Sequence, residues 1–255
     1  MSQSKGRSLP LAPLRRLVND LMKFSLRTPN VTVERRMRLA ALVAARQTWP
    51  NRPAWSAIFL KAYATVAARR PVLRRSFMAF PWPHLYEHPC NVASVTIERS
   101  LDGEEAVFFA QLRSPERKSI AELDAYLRRC KEAPLEEIGT FRRLLRQGRT
   151  PWPLRPLLWW LAFNVSGKQR SRLLGTFGLT STGALGAGMT EIVTALTANL
   201  HFGLLDDSGD LDVRLAIDHR VLNGATGARA LVEMEDVLTH EILDELHRPT
   251  VRLAS

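Results

Sequence analysis

A strand-like run that ends in a histidine, late in the chain, constrains the possible folds most. Residues 211–217 read Leu-Asp-Val-Arg-Leu-Ala-Ile, and the segment Asp218–Gly224 follows directly. Alternating apolar and polar residues indicate a half-buried strand, so His219 is expected at a strand end, held by the turn after it. Histidine changes charge near neutral pH, which suits a fixed histidine to general base catalysis. The sequence therefore predicts a sheet with His219 as a candidate base at the end of one strand.

Two further strand-like runs precede this one. Residues 175–183 read as a strand that ends in a glycine-rich turn, and residues 198–205 read as the next strand. An acidic turn over residues 206–210 joins the second run to the strand before His219. The glycine spacing matches neither the nucleophile elbow of serine hydrolases nor a phosphate-binding loop. We therefore expect neither of those two enzyme classes.

The rest of the chain mixes helical and strand-like patterns, which predicts an α/β fold. Residues 1–10 are polar and small and are expected to be a flexible N-terminal segment, ahead of a single domain over residues 11–255. Residues 141–163 are interrupted by three prolines and are expected to be irregular, ahead of a short apolar helix with Trp159 and Trp160. The other predicted elements are helices over 13–22, 36–47, 55–69, 119–131 and 224–238, a short strand over 31–33, and a hairpin of 90–98 with 104–112 across Asp102-Gly103.

The net charge of +11 is concentrated in two basic blocks. Residues 1–75 carry 16 Lys and Arg against 2 Asp and Glu, and residues 140–175 carry 8 against none. Such blocks attract the phosphates of a nucleotide-bearing cofactor, nucleic acid, an anionic membrane or an acidic carrier protein, or they form a solvated face. No nucleic-acid-binding module is visible and residues 176–255 are acidic, so no nucleic acid partner is expected.

Cysteine content and hydropathy indicate the compartment. Cys90 and Cys130 allow at most one disulfide, so reduced thiols are expected. No apolar run approaches the roughly 20 residues of a membrane span, and no signal-peptide pattern opens the chain. A cytoplasmic location is therefore expected. His84, His88 and Cys90 are spaced like metal ligands, but prolines interrupt them and no fourth ligand is evident, so no metal site is predicted.

Three segments together resemble one enzyme family. The segment Asp218–Gly224 resembles the His-x-x-x-Asp-Gly motif of the chloramphenicol acetyltransferase and dihydrolipoyl acyltransferase superfamily. Residues 175–186 resemble that family's Gly-Thr-Phe-Thr segment, and residues 13–22 resemble its opening helix. The chain from about residue 11 to residue 238 is thus similar to the catalytic domain of the 2-oxoacid dehydrogenase dihydrolipoyl acyltransferases. Asn223 departs from the pattern, since the family has aspartate there.

The resemblance implies a fold, an assembly and an activity. The fold is a chloramphenicol acetyltransferase-like two-layer sandwich with a mixed sheet flanked by helices. The assembly is a homotrimer, or a multiple of three, with active sites between subunits. Lipoyl and subunit-binding domains precede the core in the complex subunits, whereas about ten residues precede the first helix here, so a stand-alone acyltransferase is expected. Acyl-CoA or an acidic acyl carrier protein is the expected co-substrate, with no covalently bound cofactor and an unidentified acceptor.

The resemblance also implies roles for individual residues. His219 would take the proton of the acceptor as attack on the thioester begins. A hydroxyl would stabilise the oxyanion of the tetrahedral intermediate, and Thr180 matches that position best, with Ser181 as the alternative.

The family aspartate orders the site, commonly through an ion pair with an arginine of the opening helix. The corresponding residues here are Asn223, which Gly224 follows, and Arg15 or Arg16. Asparagine keeps an acceptor oxygen but cannot form the charged pair.

Other interpretations remain open. The chain fits a non-catalytic trimeric scaffold or assembly protein, in which Asn223 marks lost chemistry. The Arg- and Trp-rich stretch 142–160 fits either packing on a neighbouring subunit or docking on an anionic membrane, where the protein would acylate a lipid-like substrate at the inner face. Without the family context, a His-Arg pair after a strand is more often a surface turn, and the hydroxyls of Thr180 and Ser181 could serve their own backbone.

Overall fold

The computed structural model describes residues 6–49, 51–101, 103–183 and 186–248. Asp102 of the predicted hairpin turn, Ala184 and Leu185 of the glycine-rich segment, and residues 1–5 of the predicted flexible segment lie outside the described residues. The helices are α1 Pro13–Ser25, α2 Ala40–Thr48, α3 Trp55–Arg69, α4 Ile120–Glu132, α5 Gly139–Gly148, α6 Leu154–Asn164, α7 Gly167–Leu174, α8 Gly224–Val237 and α9 Leu243–His247. The strands are β1 Asn30–Arg38, β2 Arg75–Met78, β3 His84–Glu87, β4 Val92–Leu101, β5 Glu104–Arg113, β6 Phe177–Thr180, β7 Ala198–Phe202 and β8 Asp210–Asp218.

A six-stranded mixed sheet in the order β1-β8-β7-β6-β4-β5 forms the centre of the fold. Strand β6 runs parallel to both β4 and β7, and the other neighbours are antiparallel. The register places Thr180 of β6 beside His201 of β7, and His201 beside Arg214 of β8. The predicted fold class, an α/β fold with a mixed sheet flanked by helices, is confirmed.

Strand β1 is longer than the predicted strand over residues 31–33. It pairs with β8 over nine positions, and its last residue, Arg38, lies opposite Asp210. Opposite charges meet across the two strands, because Glu34 lies opposite Arg214 and forms a salt bridge with it. Such cross-strand pairs stabilise a strand where the sequence reads as helix. The prediction of a helix from residue 36 was therefore wrong, and α2 begins at residue 40.

Much of the stretch 141–163 is helical, contrary to the prediction of irregular structure, but the predicted short apolar helix with Trp159 and Trp160 is confirmed as part of α6. Pro151 and Pro153 lie between α5 and α6, and Pro156 lies in the first turn of α6, positions where a missing backbone N–H is tolerated. Helix α6 buries Trp159 and Phe163 but leaves apolar side chains of Leu154, Leu157, Leu158, Trp160 and Leu161 exposed. The segment therefore carries an apolar surface that the described chain does not cover.

Other local predictions are confirmed. Helix α3 spans residues 55–69 as predicted, and Ser119 and Glu122 form the capping box at the start of α4. Strands β4 and β5 form the predicted hairpin. Helix α3 lies over the sheet in the core, where Phe59 stacks on Phe202 with ring centroids 4.4 Å apart. Among the residues that the structure describes, no helix is long and apolar enough to cross a membrane.

Candidate active site

His219 lies directly after β8 and its side chain is exposed. Its backbone N–H donates to the carbonyl oxygen of Pro29 (2.9 Å), which ties the residue to the start of β1. The ring Nδ1 lies 3.0 Å from the carbonyl oxygen of Leu222. A carbonyl oxygen only accepts, so this contact assigns the proton of the neutral ring to Nδ1 and leaves the lone pair on Nε2. The turn thus presents a histidine in the tautomer that a general base requires.

The two residues that flank His219 hold the turn. Asp218 is fully buried, and its carboxylate accepts hydrogen bonds from the Arg220 guanidinium at Nε (2.9 Å) and Nη2 (2.7 Å) and from the Arg220 backbone N–H (3.0 Å). Arg220 also lies over the ring of Phe77, 4.5 Å from its centroid. The sequence analysis missed this ion pair, although both partners lie within the motif itself. The pair leaves the His219 side chain between two anchored neighbours.

Asn223 is the N-cap of α8. Its side-chain oxygen accepts hydrogen bonds from the backbone N–H (2.8 Å) and the hydroxyl (2.8 Å) of Thr226, and Gly224 is the first residue of the helix. A capping side chain satisfies one of the free N–H groups of a helix start. Asn223 therefore orders the end of the motif through the helix that follows.

The two arginines expected to pair with Asn223 lie elsewhere in the chain. Arg15 and Arg16 are exposed near the start of α1, and Arg16 Nε donates to the carbonyl oxygen of Leu11 (2.9 Å). Within the described ranges, no hydrogen bond or ion pair joins either arginine to Asn223. The single chain therefore does not bring these three residues together.

Thr180, the last residue of β6, lines a cavity of about 190 Å³, which we call the α1 cavity. The Thr180 hydroxyl makes no hydrogen bond to the residues that the structure describes, so it is free to donate. Three other polar atoms of this cavity, Ser25 Oγ, Ser94 Oγ and Asn199 Oδ1, are buried without a partner among the described residues. Buried polar groups in native proteins are normally hydrogen-bonded, so these atoms are available to bond water or a polar group of another molecule. These three residues were not predicted from the sequence, because they come from α1, β4 and β7.

A glycine allows Asn199 to take its position in the α1 cavity. A Cβ atom on Gly178 would come within 2.6 Å of Asn199 Oδ1. The second glycine of the Gly-Thr-Phe-Gly sequence is therefore required for close approach of a neighbouring side chain.

Ser181 faces the other side of the sheet from Thr180, as successive residues of a strand do. It lines a separate cavity of about 380 Å³ beside α3, with Trp55 and Phe59 among its apolar walls. The Ser181 hydroxyl is already engaged, since it donates to the carbonyl oxygen of Phe202 (3.2 Å) and accepts from the Gly183 N–H (3.2 Å). Of the two predicted oxyanion donors, the free Thr180 hydroxyl is better suited.

His201 holds the backbone around Thr180. Its Nε2 accepts from the Met189 backbone N–H (3.1 Å), so Nδ1 carries the proton and donates to the Thr180 carbonyl oxygen (3.2 Å). Burial lowers the pKa of His201, which keeps the ring neutral and this pair of hydrogen bonds intact at neutral pH. His201 therefore links the end of β6 to the segment that follows the glycine-rich turn.

Within one chain, His219 lies just beyond the end of β8, whereas Thr180 lies level with the middle of β8. Thr180 lies opposite His201 in the sheet, and His201 lies opposite Arg214 of β8. His219 follows Arg214 by five residues. At about 3.3 Å per residue, the two side chains are separated by roughly 16 Å along the strands. The single chain therefore brings the candidate base close to the start of β1 and the candidate oxyanion donor close to the α1 cavity, without joining them.

Within the described ranges, no group of three or more His, Cys, Asp or Glu side chains converges on a point that could hold a metal ion. Of the three residues with metal-like spacing, His84 Nδ1 lies 2.8 Å from the carbonyl oxygen of Trp82. His88 is buried beside Ser76, and both Cys90 and Cys130 are free thiols.

Comparison with known proteins identifies the fold. No protein-family model matches the sequence, and no curated protein is significantly similar to it. A probable dihydrolipoamide acetyltransferase from Listeria monocytogenes has a TM-score of 0.67 at 18% identity, over 98% of this chain and 98% of that chain. The dihydrolipoamide acetyltransferase of Azotobacter vinelandii has a TM-score of 0.68 at 18% identity, over 94% and 93%. A chloramphenicol acetyltransferase has a TM-score of 0.50 at 14% identity, over 86% and 94%.

The Azotobacter enzyme was studied for the roles of a serine, a histidine and an asparagine in its catalytic mechanism. In that protein the asparagine follows the histidine by four positions. Asn223 follows His219 by the same interval. This chain has the fold of the dihydrolipoamide acetyltransferase catalytic cores and of chloramphenicol acetyltransferase.

Proposed function

We propose that this chain is an acyltransferase that moves an acyl group from a thioester to an acceptor, with His219 as general base and Thr180 as oxyanion donor. The observation that carries the proposal is the geometry of His219. On a fold shared with acyltransferases, it is exposed at a strand end with its Nδ1 bonded to the Leu222 carbonyl oxygen. Nε2, the ring nitrogen that must accept the proton, therefore points away from this contact.

The proposed reaction proceeds by direct attack. Nε2 of His219 takes the proton of the acceptor as its heteroatom attacks the thioester carbonyl carbon. The carbonyl oxygen becomes an oxyanion, and the Thr180 hydroxyl donates a hydrogen bond to it. When the intermediate collapses, the carbon–sulfur bond breaks and the thiolate takes the proton back from His219. The products are the acylated acceptor and a free thiol.

The separation of His219 from Thr180 supports a site shared between copies of the chain. At roughly 16 Å along the strands, one chain cannot place both groups on one carbonyl, since hydrogen bonds require about 3 Å. A second copy that supplies His219 near the α1 cavity of the first satisfies the geometry, and the unpartnered polar atoms there give it polar contacts. We propose a cyclic assembly, a homotrimer or a multiple of three.

Asn223 is compatible with activity on this account. The Azotobacter enzyme was studied for the role of an asparagine at the same interval after its histidine. The capping bonds from Thr226 use an oxygen that asparagine and aspartate share. This favours an active enzyme over a non-catalytic scaffold.

The acyl donor is proposed to be acyl-CoA or an acidic acyl carrier protein. Both carry negative charge, and residues 1–75 and 140–175 form the two basic blocks of the chain. The acyl acceptor is a thiol, hydroxyl or amine small enough for its reactive end to reach the α1 cavity.

A thiol-release assay tests this function. The purified protein is given a panel of acyl-CoAs and candidate acceptors, and released coenzyme A is measured by chromatography for the wild type, His219→Ala and the control His240→Ala. His240 is exposed and bonded to Asp236, remote from the motif, so its loss should leave turnover unchanged. Loss of a general base is expected to lower turnover by about 10²–10⁴-fold. Equal turnover in the wild type and in His219→Ala contradicts the assignment.

Docking on an anionic membrane is a second candidate function, favoured by the exposed face of α6. Leu157 and Leu158 lie there with about half of their surface accessible, next to tryptophans and to the basic stretch 140–175. Vesicle flotation with anionic and with neutral lipids tests it. Binding to anionic vesicles should be lost in Leu157→Gln/Leu158→Gln and kept in Val232→Gln, an exposed apolar control on α8. A wild-type protein that stays in the soluble fraction rules this function out.

A further inference from the structure

A further cavity, with a different chemical character from the α1 cavity and the cavity beside α3, lies at the end of the β4–β5 hairpin away from its turn. It has a volume of about 430 Å³ and lies between the start of β4, the end of β5, α5 and α7. Its lining includes four cationic side chains, Arg113, Arg143, Lys168 and Arg172. We call it the basic cavity. It shares no lining residue with the α1 cavity or with the cavity beside α3.

Among the described residues, none of the four cations of the basic cavity forms a salt bridge, whereas cations elsewhere in the chain commonly do. The local sequence supplies no acid either, since residues 140–175 contain none. All four side chains are exposed and hydrated, and their charges add to a positive potential over the cavity. An anion that enters the cavity is therefore attracted by four cations that no carboxylate of the described residues neutralises.

The fold directs these cations to one place. Lys168 and Arg172 are four residues apart on α7, with Ser171 beside them, so they share one face of the helix. Arg143 Nη1 donates to the Arg172 carbonyl oxygen (3.0 Å), which holds its guanidinium against the last turn of α7. Arg113 reaches the cavity from the end of β5. Three separate elements thus contribute charge.

A buried polar side chain also lines the basic cavity. His88 is 1% exposed, its Nε2 lies 3.0 Å from Ser76 Oγ, and its Nδ1 has no hydrogen-bond partner among the described residues. Burial, with a smaller effect from the charge of Arg170, lowers the pKa of His88 to about 4. The ring is therefore neutral at neutral pH. When Ser76 donates to Nε2, Nδ1 carries a proton that nothing in the described chain accepts.

We propose that the basic cavity binds the phosphate groups of a phosphorylated ligand. Guanidinium groups bind phosphate oxygens with paired, charge-assisted hydrogen bonds, and a lysine adds a point charge. The imidazole N–H supplies a neutral donor to the same oxygens, whereas the Ser171 hydroxyl donates to the Lys168 carbonyl oxygen (3.1 Å). The nucleotide part of a coenzyme and a free phosphate-bearing metabolite share this chemistry. The site does not depend on His219.

Calorimetric titration with inorganic phosphate, adenosine 3′,5′-bisphosphate and coenzyme A tests the site and separates these sources. The variant Arg143→Gln/Arg172→Gln is compared with the wild type and with Arg142→Gln/Arg146→Gln, which removes two exposed charges of α5 that do not line the cavity. The cavity variant should bind at least about tenfold more weakly, since it loses two charge-assisted contacts, and the control should bind as the wild type does. Tighter binding of the two nucleotides than of phosphate identifies a nucleotide ligand, and equal binding identifies a free phosphate. An equal loss in both variants, or no binding by the wild type, overturns the proposal.

Protection of Cys90 locates the bound probe. Cys90 lines the basic cavity and is half-buried, whereas Cys130 is buried and does not line it. The tightest-binding probe should slow modification of Cys90 by a neutral maleimide in the wild type and in His219→Ala, and should leave its rate unchanged in the cavity variant. An unchanged rate in the wild type at saturating probe contradicts the location. Because His219→Ala is expected to retain protection, failure here is distinct from failure of the proposed acyl transfer.

Discussion

The sheet region around His219 and the helical segment 139–174 differ in how far the single chain satisfies their charges. Near His219, the buried Asp218 is paired with Arg220, and Arg214 of the same strand is paired with Glu34. In the helical segment, cations line a cavity without carboxylates and apolar side chains of α6 face outward. These charges of the first region are thus paired within the chain. The second has surfaces that become satisfied only by other molecules.

The two regions are also incomplete in different senses. In the proposed mechanism the sheet region needs a second chain, because His219 lies beyond the end of β8 and Thr180 lies level with its middle. The helical segment is proposed to bind an anionic ligand or surface through its unpaired positive charge. Variants in each region should therefore affect different measurements.

The largest expected effect on stability tests how the helical segment is attached to the rest of the fold. Arg155 of α6 and Asp20 of α1 form a salt bridge, and both are buried. Asp20→Ala leaves the arginine charge buried and unpaired, which should lower the free energy of unfolding by about 3–5 kcal/mol. Urea denaturation measures it, with Glu241→Ala as the control. That variant removes the exposed partner of Arg69 and should cost about 0–1 kcal/mol. Equal losses of unfolding free energy in Asp20→Ala and Glu241→Ala would mean that the salt bridge between Arg155 and Asp20 does not hold the helical segment to α1.

Thr180→Val tests the chemistry of the sheet region. It removes the proposed oxyanion donor while keeping the shape of the side chain, so the rate of thiol release should fall by about 10²–10³-fold. Ser181→Ala is the matched control, because its hydroxyl is bonded to the Phe202 carbonyl oxygen on the other face. A larger loss in Ser181→Ala than in Thr180→Val would reverse the assignment.

Acid should destabilise the wild type partly through His88, which lies beside the helical segment. Its pKa is lowered to about 4 by burial first and by Arg170 second, against an ordinary value of 6.5. Between these values the unfolded chain binds more protons than the folded chain, so stability falls as the pH drops below 6.5. By pH 5 the loss should reach about 2 kcal/mol, and His88→Gln should reduce this slope in urea denaturation at a series of pH values. An identical slope in both proteins contradicts this prediction.

Substitutions of Asn223 should change the free energy of unfolding less than the variants above. Asn223→Ala removes the cap of α8 and should lower the free energy of unfolding by about 1 kcal/mol, whereas Asn223→Asp keeps the accepting oxygen and should leave stability near the wild type. Thermal denaturation of the two variants measures the difference. A large gain of acyl transfer in Asn223→Asp would show that the natural asparagine impairs the site.

Local signals explain which elements the sequence predicted correctly. Helix α3, the capping box of Ser119 and the strand before His219 each depend on patterns within a few residues. The length of β1 depends on pairing with β8, about 180 residues away, so its charged second half was misread as helix. The short apolar helix with Trp159 and Trp160 was predicted, whereas α5 was missed because the prolines after it were interpreted as interruptions when they lie between two helices and in a first turn.

The residues of the candidate site also fall into two groups, those that a short motif predicts and those that only the folded chain brings together. His219 and the segment containing Thr180 were found because they belong to short motifs. Ser25, Ser94 and Asn199 were missed, because only folding brings their three elements to one cavity. The pairing of Asn223 with an arginine of the opening helix came from the family resemblance alone and stays a prediction, and within the single chain Asn223 caps a helix.

Co-assembly of two inactive variants tests the central claim, that the base and the oxyanion donor belong to one site but to different chains. His219→Ala and Thr180→Val chains carrying different affinity tags are co-expressed, and mixed assemblies are purified on both tags and assayed for thiol release. Each variant alone should be nearly inactive, whereas a mixed homotrimer should show about a third of the wild-type turnover, since one of its three interface sites then combines an intact histidine with an intact threonine. Mixed assemblies no more active than either variant alone would contradict the account.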